Sequence, residues 1–217
     1  LGLDDLLGGG IASGTIIDIF GPGGSGKTQL AMQISLNSLQ DGTVLYLDAT
    51  GEFSRSKRML QLIKSKNLES SLLDDVIVAR MRNVSEQLEY VKKISELRPN
   101  LVVIDNITDL FVFEYDQTVN MLEKHLRFME YMHELSLTAI NTKVPVIVTN
   151  MVRNMDGMEI ESLNKSISMF THKKIKLEKL ENDEKDEKVF KAQVFPSFGK
   201  RKEILYTMTE AGLVELP

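Results

Sequence analysis

The sequence contains no cysteine, so disulfides and thiolate metal sites are excluded outright. Histidine is nearly as scarce, and the three present (His125, His133 and His172) show none of the spacings of a zinc site. No apolar run approaches the ~20 residues that span a bilayer, and the opening "LGLDDLLGGG" lacks the basic flank of a secretory signal. No membrane association is expected, and the reading is a soluble, cytoplasmic protein. Positive charge is also in deficit: a net charge of −5 argues against a strongly basic nucleic-acid module, although a local basic strip on an acidic body stays open. The first residue is Leu rather than Met, which leaves an upstream stretch open. What is present is ordinary for a globular protein: 217 residues, 42% apolar and 26% charged, enough for one sizeable core.

Short β-rich runs alternate with amphipathic stretches: "GTIIDIF", then 29–40, "TVLYLDA", 54–66, "DVIVAR", 85–97, "LVVIDN", 118–137 and "VPVIVTN". This βαβ rhythm predicts a largely parallel twisted sheet with helices on both faces. "LVVI" and "VIV" lack alternation and are expected to be central strands covered on both sides. The longest helical stretch carries Leu122, Leu126 and Met129, with Met121, His125, Phe128, Met132 and Leu135 on neighbouring rows, a wide apolar face read as core packing in preference to a partner-docking groove. His125 and His133 are expected on or beside it. After Asn150 the periodicity lapses and residues 152–171 read as a long loop. "KKIKLEKL", "KVFKAQVF" and "KEILYTMT" then read as antiparallel strands, the first two joined by the charged "ENDEKDE" as a solvated hairpin tip. The expected organisation is a single domain over 1–217, with a core to about 150 and a β extension over about 172–217.

"GPGGSGKT" fits G-x-x-x-x-G-K-[ST], and it sits where that mechanism requires, after the strand "TIIDIF" and before a helix. Gly21, Pro22, Gly23, Gly24, Ser25 and Gly26 would wrap the backbone around phosphate oxygens, with the helix from Gln29 onward adding its positive end. Lys27 would reach the β- and γ-phosphates, and the Thr28 hydroxyl would bind Mg²⁺. Asp105, at the end of the apolar strand "LVVID", has the form of the second acidic element of such a site and would hold the Mg²⁺ shell. A nucleoside triphosphate with a divalent metal, Mg²⁺, is therefore the expected cofactor pair.

Taken together, "LDDLLGGGIASGTIIDIFGPGGSGKTQLAMQISLNSL", "VLYLDATGEF", "LVVIDNITDLF", "VPVIVTNMV" and "HKKIKLEK" resemble, in order, the ATPase core of the RecA/RadA recombinase superfamily. The resemblance covers nearly the whole chain and implies a RecA-like P-loop NTPase fold. With no helix-hairpin-helix domain and no F-x-x-A segment preceding "LGLDD", the sequence is most similar to the small archaeal RadB branch. That implies ATP binding, weak contact with single-stranded DNA and assistance to a recombinase of the RadA type in homologous recombination and repair, with homo-oligomerisation left open. Two further readings stand beside it: a non-catalytic module that docks a recombinase and holds ATP as a structural ligand, and a KaiC-like signalling ATPase.

Three departures from the family pattern sharpen these expectations. Where the family has a glutamate to orient the attacking water, this sequence has Thr50, a poor general base, so hydrolysis is expected to be slow or absent. Glu52, two residues on, reads either as a displaced base or as a solvated turn residue, the second being favoured; Asp48 reads as structural. Met151 stands where the family has the glutamine that links the γ-phosphate to the DNA-binding loop, and it has no amide for that link. The loop offers only Arg153 and Lys165 as bases and Phe170 as a stacking surface. Lys200, Arg201 and Lys202 form a second basic cluster for DNA or for a neighbouring subunit's nucleotide.

Overall fold

The computed structural model describes residues 7, 9–53, 57–115, 121–155, 158–180, 188–196 and 203–216. Among the described residues ten strands form the sheet: β1 (Ile16–Gly21), β2 (Val44–Asp48), β3 (Val76–Arg80), β4 (Leu101–Asp105), β5 (Val146–Met155), β6 (Met158–Glu161), β7 (Lys173–Leu180), β8 (Val189–Phe195), β9 (Glu203–Thr209) and β10 (Gly212–Glu215). Their order is β10-β9-β8-β7-β1-β5-β4-β2-β3, with β6 paired to the far end of β5. From β7 to β3 all neighbours run parallel, whereas β7 to β10 are antiparallel. The fold is thus the RecA-like α/β arrangement expected, with "LVVI" and "VIV" buried inside the sheet.

Side-chain alternation divides the core into two layers. Ile17, Ile19, Val44, Tyr46, Leu101, Val103 and Ile147 face α1 (Lys27–Ser38) and α2 (Lys57–Ser65), together with the apolar side of β7 to β9. Ile16, Leu45, Leu47, Val102, Ile104, Val146 and Val148 face α3 (Val84–Leu97), α4 (Asp109–Glu114) and α5 (Met121–Thr142). Adjacent residues on one strand therefore feed opposite layers, which is why these strands read as unbroken apolar runs. Asn83 caps α3 by accepting from the Glu86 N–H at 2.8 Å, while Glu86 reaches back to the Arg82 N–H at 2.9 Å.

Four elements differ from the sequence expectation. The described residues within 152–171 pair β5 with β6 antiparallel and form a short helix, α6 (Asn164–Ser168), instead of an open loop. The hairpin is tied at its base by a tertiary contact that no local pattern signals: Asn150 Nδ2 donates to Ser162 O at 2.8 Å and to Glu161 Oε1 at 3.0 Å. The extra helix α4 fills the space after β4 with Phe111, whose ring meets Phe128 edge-on at 5.1 Å. A fourth C-terminal strand, β10, closes the sheet edge. Finally, α5 runs on to Thr142, and its wide apolar face divides: Phe128, Met132 and Leu135 are buried with Tyr131 and Ala139, but Met121, Leu122 and Leu126 are exposed. Only one side of a helix can meet the layer below, and Phe111 and the sheet select which.

The histidines hold structure. His172 Nδ1 accepts the Ile16 N–H at 3.1 Å, His125 Nδ1 lies 3.3 Å from Ser166 Oγ, and the His133 ring packs edge-on to Phe170.

Candidate functional site

The P-loop spans the turn from β1 into α1. Two of its glycines are required by geometry. A Cβ on Gly21 would sit 2.2 Å from Leu177 O on the neighbouring strand, and Gly26 has φ +94°, a left-handed conformation that other residues enter at a cost. Gly26 also caps α1 without a side chain, and the first turn of α1 contains no acid. The N–H groups there are left for an external anion, on which the helix end acts favourably.

Lys27 is buried and folds back on the loop, donating to Gly21 O at 3.0 Å and Pro22 O at 2.8 Å. Burial lowers its pKa, opposed by the carboxylates of Asp105, Asp109 and Glu52. Those acids mark the opposite wall. Asp105, at the end of β4, is buried and held from both sides: Tyr46 Oη donates to Oδ2 at 2.8 Å and Thr149 Oγ1 donates to Oδ1. Burial followed by the Asp105 charge pushes the Tyr46 phenol well above its usual range, so it stays a donor. Asp109, which sequence reading missed, opens α4 beside Asp105, and burial raises its carboxyl while Arg153 opposes the shift.

A cleft of about 760 Å³ joins these groups: Gly23, Gly24, Gly26, Lys27, Thr28 and Gln29 on one side, Thr50, Glu52, Asp105, Asn106 and Asp109 on the other. Its size suits a nucleotide. The donor set fits ATP with Mg²⁺ as well: a bare helix end and an ammonium for polyphosphate, a Thr28 hydroxyl and two carboxylates for a hard divalent ion. Since both Asp105 oxygens already accept hydrogen bonds, the carboxylate is oriented before any ligand arrives.

Arg58, Met32, Met151 and Met208 also line the cleft, and of these only Met151 had been singled out. Arg58 joins three elements: its Nε donates to Gln29 Oε1 on α1, Nη1 to Glu210 O at 3.3 Å, and Nη2 to Thr209 O. Tyr206 Oη on β9 donates to Ser25 O of the P-loop at 2.8 Å, and Met208 lies against Gly26. The C-terminal strands therefore brace the phosphate loop, a role with no signal in the local sequence.

After β2, Asp48 organises the turn. Its Oδ1 accepts from Thr50 N (3.0 Å), Thr50 Oγ1 (3.0 Å) and Gly51 N (2.7 Å), and its Oδ2 from Phe53 N (3.2 Å). Thr50 Oγ1 in turn accepts from Glu52 N at 3.2 Å. Its hydroxyl is thus engaged as donor and acceptor, while Glu52 is exposed at the cleft rim.

Met151 projects toward the P-loop, its Cε 3.9 Å from the Cβ position of Gly23. The neighbouring Asn150 makes the polar connection: Oδ1 accepts from Thr108 Oγ1 at 2.7 Å while Nδ2 holds Glu161 and Ser162 at the foot of the hairpin. Glu161 pairs with Lys174, whose Nζ lies 3.2 Å from the wholly buried Asp18. Arg153 and Lys165 are exposed on the hairpin and on α6, and Phe170 is half-buried against the α5 layer. Lys200, Arg201 and Lys202 lie outside the described residues.

A family model described as Rad51 matches residues 1–216. Among curated proteins, the chain is 34% identical over 155 residues to the DNA repair and recombination protein RadB of Pyrococcus furiosus, covering 70% of this chain and 65% of that protein. It is also 34% identical over 167 residues to the DNA repair and recombination protein RadA of Ignicoccus hospitalis, covering 69% of this chain and 51% of that protein. The matched stretch thus spans between about half and just under two thirds of these relatives. Among the described residues, no helix is long and apolar enough to cross a membrane.

Proposed function

The chain belongs to the Rad51 family, and from that membership and the cleft we propose that it binds ATP with Mg²⁺ and acts in DNA repair and homologous recombination, assisting a recombinase of the RadA type. The observation that carries the reading is the opposition, across one cleft, of Lys27 on the P-loop and Asp105 held by Tyr46 and Thr149. Gly23, Gly24, Gly26 and the start of α1 would hold the polyphosphate. Thr28 and Asp105 would hold the metal. The metal would neutralise charge between the terminal phosphates.

Hydrolysis in this reading is slow or absent. Thr50 occupies the position of the family's water-orienting glutamate, and its hydroxyl is committed to Asp48 and to the Glu52 N–H. That same observation favours a second reading within the family: ATP held as a structural ligand by a non-catalytic module that docks a recombinase. Contact with single-stranded DNA is proposed to be weak, with Arg153 and Lys165 as the described cationic contacts and Lys200, Arg201 and Lys202 as the remaining candidates.

Calorimetric titration of ATP with Mg²⁺, followed by titration of a single-stranded oligonucleotide with and without nucleotide, tests the proposal. Wild type should bind ATP, and Lys27→Ala should lose measurable binding. The oligonucleotide should bind in a strongly salt-dependent manner with little sequence preference, and Arg153→Ala with Lys165→Ala should weaken it. Undiminished ATP affinity in Lys27→Ala would remove the P-loop assignment. Turnover stimulated by the oligonucleotide favours the enzyme reading, and binding without turnover the structural-ligand reading.

A further inference from the structure

Helix α5 presents a second apolar face, opposite the one that packs into the core. Advancing about 100° per residue, Leu122, Leu126, Met129, His133, Leu137 and Ile140 fall within a sector of about 80°. They are spaced 4, 3, 4, 4 and 3 residues apart, the pattern of a helix seam and not of scattered surface residues. Leu122 is 74% exposed, Leu126 61%, Leu137 41% and Ile140 53%. The buried face, made by Phe128, Tyr131, Met132, Leu135 and Ala139, is centred about 140° away, so the seam points away from the core, and within the described part of the fold His133 meets Phe170 edge-on while Leu122, Leu126, Leu137 and Ile140 stay open to solvent. From Leu122 to Ile140 it is about 27 Å long.

The flank of the seam identifies what fits it. On its solvent side lie Glu123, Glu130 and Glu134, all exposed, and one base, Arg127, which is paired with Glu130 at 3.3 Å. In an antiparallel pairing of two copies this flank would face itself, placing glutamates against glutamates, and like charges across a seam are unfavourable. A helix with lysine or arginine beside its apolar stripe meets the same surface with opposite charge.

We propose that the outer face of α5 is a docking surface for an amphipathic helix of another protein, with an apolar seam and a basic flank. The surface is separate from the nucleotide cleft, so nucleotide occupancy and docking are individually measurable.

The test uses the full chain and two labelled synthetic peptides of about 18 residues, enough to cover the seam. Both carry Leu and Ile at seam spacing; one has Lys and Arg on its flanks, the other Glu. Fluorescence anisotropy should show the basic peptide binding at least about 10-fold more tightly than the acidic one. Leu126→Asp combined with Ile140→Asp should abolish that binding, and added salt should weaken it. Because these positions are exposed, circular dichroism should show an unchanged fold, and Glu130→Lys with Glu134→Lys should reverse the peptide preference without touching the apolar seam. Equal binding of both peptides, no binding of either, or indifference to both sets of substitutions would overturn the proposal. So would light scattering that shows a dimer dispersed by Leu126→Asp, since a second copy would then occupy the face.

Discussion

At the scale of single residues, the turn after β2 carries the test of whether the proposed ATP site hydrolyses its ligand. Asp48 is saturated by backbone and side-chain donors, so it shapes the turn and has no free role as a base. Thr50 is tied into the same turn, whereas Glu52 stands at the rim of the cleft, near enough to act on Lys27 electrostatically. A positioned acid or base is typically worth ~10²–10⁴ in rate. Thr50→Glu is therefore expected to raise steady-state ATP turnover by at least about 10-fold without altering ATP affinity, while Glu52→Ala leaves the basal rate nearly unchanged. Phosphate-release measurements decide this: brisk wild-type turnover that Glu52→Ala removes, with ATP still bound, would make Glu52 the base and reject the assignment to Thr50.

At the scale of elements, the notable join is between the C-terminal strands and the P-loop. Arg58 at the start of α2 donates to Gln29 on α1 and to the carbonyls of the β9–β10 turn, while Gln33 of α1 accepts the Leu213 N–H at 2.9 Å. Removing a partly exposed guanidinium that serves several acceptors is expected to cost about 1–2 kcal/mol. For a domain of this size that corresponds to a fall in Tm of roughly 2–8 °C. Arg58→Ala should therefore lower Tm by that amount and weaken ATP binding, because the brace on α1 and its P-loop is loosened. A Tm drop with full ATP affinity would show that the strands support the fold alone.

At the scale of the whole molecule, the buried Asp18–Glu161–Lys174 group ties the centre of the sheet to the β5–β6 hairpin, and it makes stability depend on pH. Burial, then the neighbouring Glu161 carboxyl, raise the Asp18 carboxyl well above its ordinary value of 3.8, with Lys174 opposing. For an acid raised in the folded state, the folded form binds more protons than the unfolded form between the two pKa values. That contribution is fully present below pH 3.8 and declines as pH rises through the folded value. Asp18→Asn removes the titration, so its stability advantage over wild type should grow as pH increases from acid to neutral. Thermal melts across that range check it, and parallel profiles for the two proteins would show that Asp18 does not titrate on unfolding.

Much of this molecule is written locally. The parallel core follows from apolar runs alternating with amphipathic stretches, and the glycine-rich turn from β1 into α1 follows from its G-x-x-x-x-G-K-[ST] spacing. The antiparallel strands β7, β8 and β9 are equally legible, because alternation along a strand is a property of adjacent residues. Tertiary contact decided the rest. The pairing of β5 with β6 is tied at its base by Asn150, which holds Glu161 and Ser162 across a gap of more than ten residues. The face of α5 that enters the core is selected by Phe111 and the sheet, not by the helix's own periodicity. Arg58, Asp109 and Met208 reach the cleft from separate elements. A sequence pattern records which way neighbouring side chains point, but distant segments meet according to the packing of the sheet between them, and that information is held in no single stretch.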